Sequence, residues 1–225
     1  MNSILKKRQT RFVALLAVGT LATIGAAHAG GWWEDNDRLA QMAELEKLHA
    51  AFHAAITVHD ITDPTGDSPE VITKRIRDAV ALWTRDGKIT IVSDTNAAGN
   101  YIGRGDPDNP GTCPEPTHDT SEFGRQGTLC TFFKYVSGGL KFGNKLVSLS
   151  PAYKTKYVPV RGRDGQWTSS VYFECHYFNV SSDPVTHQPL WEAVSHVNLN
   201  GEAKKINGHW LFTHVSSSAV DVPLP

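Results

Sequence analysis

The stretch Val171–Val180, VYFECHYFNV, constrains this chain more than any other. It is dense in aromatic and β-branched residues, which fit a pleated, buried surface. Alternation places Tyr172, Glu174, His176 and Phe178 on one face, and Val171, Phe173, Cys175, Tyr177 and Asn179 on the other. Both faces are largely apolar, so neither is expected to meet bulk water. One of them carries an acid and an imidazole two positions apart. An unpaired buried carboxylate costs several kcal/mol, so Glu174 is either paired or lines a cavity. The strand reads as the wall of a pocket.

Residues 1–29 read as a targeting segment. Lys6, Lys7, Arg8 and Arg11 form a basic start, Phe12 to Ala27 is apolar and small, and Ala27-His28-Ala29 fits the small-x-small cleavage rule. The apolar run of 16 residues is short for a membrane span; an uncleaved anchor is the alternative. The expected product is an exported, periplasmic or secreted chain of residues 30–225, a single domain with room for a real core. Cleavage removes four of the 22 basic groups and none of the 23 acids. The mildly acidic remainder has no basic patch for nucleic acid and no polybasic stripe for a membrane surface.

Export changes how the cysteines read. Cys113 and Cys130 flank a loop rich in Pro, Gly, Asp and Thr, where a cross-link would restrain the chain. Cys175, inside the strongest strand, reads as a buried thiol, with a nucleophile as the alternative, although the nearest base, His176, is on the opposite face.

Helical spacing of Leu39, Met42, Leu45, Leu48, Phe52, Ala55 and Ile56 predicts a first helix over 35–60. Ser68-Pro69-Glu70 starts a second, expected to carry Ile72, Ile76, Ala79, Val80 and Trp83 on one stripe and to end at Asp86-Gly87. Two short strands, 88–93 and 100–103, precede a loop over 106–127. Residues 128–137 could form a strand, but Leu129, Phe132, Phe133 and Val136 at helical spacing favour a short helix. From Lys145 the pattern is antiparallel sheet: a strand bent at Pro151, then 167–180, 191–199 with a bulge or turn at Asn200-Gly201, and an Asn207-Gly208 hairpin into 209–216. Helices first and long strands after predict an α+β fold, with helices packed on one face of a curved antiparallel sheet.

Three segments resemble the nuclear transport factor 2-like superfamily, and within it the SnoaL-like (polyketide cyclase-like) proteins. They are FHAAITVHD (52–60) at the end of the first helix, ALWTRDG (81–87), and the closing hairpin INGHWLFTH (206–214). Together they span about residues 36–216. The resemblance implies a cone-shaped α+β barrel around a hydrophobic cavity, in dimers or trimers. Activities in the family include dehydratases, isomerases, cyclases, epoxide hydrolases, a dehydrochlorinase, and lyases releasing formaldehyde from lignin-derived diarylpropane diols; other members are non-catalytic. The export signal and the long Cys113–Cys130 loop depart from its common pattern.

The resemblance aligns Asp60 with the general base of dehydratase-type relatives; the plainer reading is a helix-ending acid bonded to the next turn. His59 gains interest only as its neighbour. His176 is read as an acid or base, with Glu174 orienting it. Lys134 is either a snorkelling surface lysine or a cavity ammonium that stabilises an oxyanion. Trp83, Tyr101, Phe133, Tyr172, Tyr177 and His196 are expected to line the substrate cavity, though each ring is equally at home in plain core. His176, His196 and His214 would make a zinc site only if their strands bring them together; no tight ligand spacing calls for a metal or cofactor. The expected function is cofactor-independent lyase or isomerase chemistry on a hydrophobic aromatic or polycyclic substrate, in a homo-oligomer. A non-catalytic carrier is the rival.

Overall fold

The computed structural model describes residues 35–56, 68–92, 98–114, 125–137, 146–149, 152–183, 185–186 and 188–221. The expected signal segment, His59 and Asp60 lie outside the described residues. Contacts divide the chain into two units, Met1–Ala43 and Glu44–Pro225. In the first, the described residues begin a helix, with Asp35 and Arg38 paired at 3.4 Å one turn apart. All that follows concerns the second unit.

Residues 44–56 carry the rest of that helix (α1, 35–56), and α2 spans Pro69–Ala81. Ser68 caps α2, its hydroxyl accepting from the Val71 amide at 3.4 Å, with Pro69 and Glu70 in the first turn as the sequence suggests. The helix stops five residues short of the expected Asp86. Arg104 explains the early end: its guanidinium donates to the carbonyls of Trp83, through Nε at 2.6 Å, and of Ala81 at 3.4 Å. A cation is stabilising at the negative end of a helix. The chain then enters β1 (Trp83–Val92). Gly87 sits in a register shift between Trp83 and Lys88, where a Cβ would come within 3.0 Å of the Trp83 side chain.

β2 (Gly99–Ile102) pairs antiparallel with β1, and β3 (Arg125–Gly127) pairs parallel with β2, a short strand where loop was expected. Residues Leu129–Ser137 are helical (α3), as their spacing predicts, with Thr128 as cap. The expected bent strand is two: β4 (Leu146–Leu149) and β5 (Lys154–Arg161) both pair with β6 (Trp167–Ser182) along the same edge. β7 (Pro189–Ile206) and β8 (His209–Asp221) complete an eight-stranded sheet, order β3-β2-β1-β8-β7-β6-β4, with β5 on β6. β7 runs straight through Asn200-Gly201; its own extra residue is Val194, skipped in the pairing with β6, and the shift opposite Glu202 and Ala203 comes from Thr213 on β8. Asn207 and Gly208 turn the last hairpin at φ 51° and 82°, the positive pair a two-residue turn requires.

Phe52 is the hub of the core. Its ring meets those of Trp83, Phe133, Phe173 and Phe212 edge-on at 5.7–6.4 Å, binding α1 and α3 to one face of the sheet. The architecture is α+β, with a curved sheet and helices on one face. Cys113 and Cys130, both fully buried, are disulfide-bonded, and Cys175 is a buried free thiol.

Candidate functional site

The alternation of β6 sorts its side chains cleanly. Phe173 turns to the helices, 4.4 Å from the His49 ring and 5.8 Å from Phe52, and Cys175 is buried on the same face. Tyr172, Glu174 and His176 therefore point the other way. Register does the rest: Lys154 on β5 and Asn198 on β7 stand opposite Glu174, and His196 stands opposite His176.

Glu174, 9% exposed, is the paired carboxylate that its burial demands. Lys154 Nζ donates to its Oε1 at 2.8 Å, and the Tyr172 hydroxyl donates to the same oxygen. Its Oε2 lies 3.9 Å from His196 Nε2. The hydrogen bond from Lys154, then that from Tyr172, holds the Glu174 carboxyl below its ordinary range, so it is ionised at neutral pH. Lys154 is in turn held above its ordinary value by Glu174. The Tyr172 phenol is raised by its hydrogen bond to Glu174, then by burial.

His196 lies between this pair and a second phenol. Its Nε2 is 3.2 Å from Asn198 Oδ1, an amide oxygen that also accepts from the Tyr172 hydroxyl at 3.3 Å. The Tyr153 hydroxyl lies 2.6 Å from Nδ1 and 3.0 Å from Nε2. One tautomer satisfies the network: Nε2–H donates to Asn198, and the Nδ1 lone pair accepts from Tyr153. Burial, then the Glu174 charge, raises the Tyr153 phenol above its ordinary value. The His176 ring stands 5.7 Å from that of His196, 5.1 Å from Tyr153 and 6.1 Å from Phe178. Chemically this is a basic imidazole nitrogen in contact with a phenol, backed by an amide and a carboxylate, and open to solvent.

The structure divides the expected site by sheet face. It brings Tyr172, Glu174, His176 and His196 together. Trp83 and Phe133, each with no exposure, pack around Phe52 on the helix side. Tyr101 is buried against Phe132 at 5.1 Å, its phenol pushed up to about 12 by burial. Lys134, on α3, donates to the Cys113 carbonyl at 2.9 Å and so ties the helix to the disulfide loop. Tyr177 is placed by its backbone alone, opposite Leu149 and Ser195; its side chain lies outside the described residues, as do His59 and Asp60. The expectation that neither face of β6 meets water fails on the Glu174 side, where Tyr153 is 51% and the Lys154 side chain 63% exposed. The cause is the neighbours: β5 and β7 present Lys154, Asn198 and His196 there. His214 stands opposite Glu202, while His196 stands opposite Val220, six positions along β8. The three-imidazole arrangement is thus taken apart, and no three His, Cys, Asp or Glu side chains among the described residues form a metal-holding group.

Sequence reasoning missed Tyr153, Lys154 and Asn198. Asn198 could have been found: it shares the period-two face of His196 on a predicted strand. Tyr153 and Lys154 depend on which strand pairs with β6, which no local pattern encodes. His49 was missed too. Its imidazole is lowered to about 4, first by burial and then by the charge of His53, so it is neutral against Phe173.

Fold and site define an α+β protein with an aromatic core under its helices and an acid–base cluster on the far side of the sheet. No protein-family model and no curated protein matches the sequence. Solved structures similar to the chain include an NTF2-like protein with a cystatin-like fold from Novosphingobium aromaticivorans (12% identity, 84% of this chain and 88% of that one, TM-score 0.45). A type 2 hexachlorocyclohexane dehydrochlorinase, LinA, is similar at 12% identity over 85% and 93% of the two chains, with a TM-score of 0.47. The Candida albicans Mtr2–Mex67 M domain complex gives 14%, 81% and 97%, and 0.43. Likeness at this level carries no argument about activity, ligand or residue roles.

Proposed function

We propose that this chain is an exported, cofactor-independent lyase or isomerase that moves a proton on an aromatic or polycyclic small molecule, working as a homo-oligomer. The observation that carries the reading is His196, with Nδ1 against the Tyr153 hydroxyl at 2.6 Å and Nε2 toward Asn198 Oδ1 at 3.2 Å. An imidazole so oriented holds one basic nitrogen ready, and its neighbours stabilise the imidazolium that forms. Tyr153 and His176 offer rings on which a planar substrate stacks. His196 then takes a hydroxyl or carbon-bound proton. In a retro-aldol cleavage, loss of the hydroxyl proton breaks the carbon–carbon bond to give a carbonyl, and the Tyr153 phenol returns a proton to the carbanion. Formaldehyde loss from a lignin-derived diarylpropane diol would be one case; dehydration uses the same two groups. Asp60 and His59, which lie outside the described residues, enter through the family resemblance alone, as a second base.

The test is a panel of lignin-derived and polyketide-like aromatics, with products read by mass spectrometry. His196→Ala is expected to lower turnover by roughly 10²–10⁴-fold, and His176→Ala, which removes a stacking ring, by less. Full activity in both variants, with loss in Asp60→Asn, would move the chemistry to Asp60. Dilute sedimentation tests the oligomer, and mapping the N-terminus of exported protein tests cleavage after Ala29.

A specific observation favours a second reading, a non-catalytic carrier. The helix side of the sheet presents rings together with neutral groups: His49, lowered to about 4, and the Cys175 thiol, pushed up to about 12 by burial. Tight binding of aromatic ligands with no turnover of any of them would establish it.

A further inference from the structure

His176 and His196 occupy directly opposed positions of the antiparallel β6–β7 pair, on the solvent-facing side of the sheet. Cross-strand partners of this kind have Cβ atoms about 4.5–5.5 Å apart, so the two imidazoles share one patch of surface. Their ring centroids are 5.7 Å apart. Two imidazoles bound to one ion through nitrogen at about 2.0–2.1 Å have centroids roughly 5–6 Å apart. The Tyr153 oxygen lies 2.6 Å from His196 Nδ1, and its ring is 5.1 Å from that of His176. We propose that His176, His196 and Tyr153 form a surface site for a divalent transition-metal ion of the zinc or copper class.

The groups that touch His196 support the donor choice. A metal-bound histidine nearly always donates its other ring N–H to a carboxylate, carbonyl or water. His196 has that partner already: Nε2 faces Asn198 Oδ1 at 3.2 Å, with Glu174 Oε2 behind it at 3.9 Å. Nδ1 is left as the donor on the Tyr153 side. Glu174 supplies negative charge from the Nε2 side of His196: Lys154 and Tyr172 occupy its Oε1, and its Oε2 lies 3.9 Å from Nε2. Two nitrogens and a phenol oxygen suit zinc and copper(II), whereas calcium and magnesium require oxygen cages. The site goes beyond the proton-transfer reading, and a bound ion would occupy the nitrogen that reading uses; its tests read metal binding and need no turnover.

Calorimetric titration of the full chain with zinc chloride, in a buffer that does not bind metal, tests the proposal. One ion is expected per chain at this site. His196→Ala and His176→Ala each weaken binding at least tenfold, and Asn198→Ala by about tenfold. His209→Ala and His214→Ala, at exposed positions outside the cluster, leave binding unchanged. The copper(II) form of the unaltered chain is read separately by electron paramagnetic resonance, where coupling to two imidazole nitrogens is expected; this arm holds even if a histidine variant does not fold. Failure of zinc to bind, unchanged binding in both histidine variants, or a copper spectrum without two nitrogens would each overturn the site.

Discussion

Lys154 and Glu174 face each other across β5 and β6, Nζ to Oε1 at 2.8 Å, although the Lys154 side chain is 63% exposed and that of Glu174 only 12%. The lysine reaches in from the edge of the sheet to neutralise an acid that the sheet itself has covered. Because Glu174 titrates below its ordinary 4.5, the folded chain binds fewer protons there than the unfolded one. Its contribution is present above that value and is lost as pH falls through the lower folded one. Glu174→Gln should therefore flatten the acid limb of the stability curve below about pH 4.5. Denaturant unfolding at stepped pH measures it, and parallel curves for the two proteins would refute the pairing.

His49 gives a second pH signature, in a higher window. Its folded value of about 4, against 6.5 unfolded, means that the unfolded chain takes up the proton first as pH falls. Stability should drop between about pH 6.5 and 4, by about 1–3 kcal/mol after allowance for partial exposure. His49→Leu should remove most of that slope. Thermal unfolding at pH 7 and pH 5 separates the two proteins.

Phe52 touches four aromatic rings, each from a different element. Phe52→Ala should cost about 3–5 kcal/mol, and Phe52→Leu clearly less, because the remaining branch fills part of the gap. Urea midpoints measure both. An alanine cost below about 1 kcal/mol would mean that the ring is not the hub of the core.

Cys113 and Cys130 close a loop of sequence separation 17. The bridge should contribute about 3 kcal/mol, chiefly by restricting the unfolded chain. Cys175 should resist alkylation in the folded protein, since burial pushes its thiol up to about 12 and hides it from reagent. Peptide mapping under non-reducing conditions checks both points; a bridge to Cys175 would refute them.

Where the decisive forces were local, the sequence alone was sufficient. The cap Ser68-Pro69 starts α2, Asn207-Gly208 turns the last hairpin, spacing makes α3 a helix, and the period of Val171–Val180 sorts Phe173 from Glu174. Each depends on backbone preferences within a few residues. The end of α2 was misplaced because Arg104, 21 residues beyond Trp83, takes the carbonyl that a longer helix would have used. The cluster was half legible for the same reason. Alternation put Tyr172, Glu174 and His176 on one face, but the partners that make that face polar are set by strand pairing. Lys154 comes from one flank of β6, and Asn198 and His196 from the other. Which strand lies beside which, and in what register, is decided when the whole sheet buries its aromatic face against the helices. Only the tertiary structure could therefore separate the rings around Phe52 from the imidazoles, and bring Tyr153 to His196.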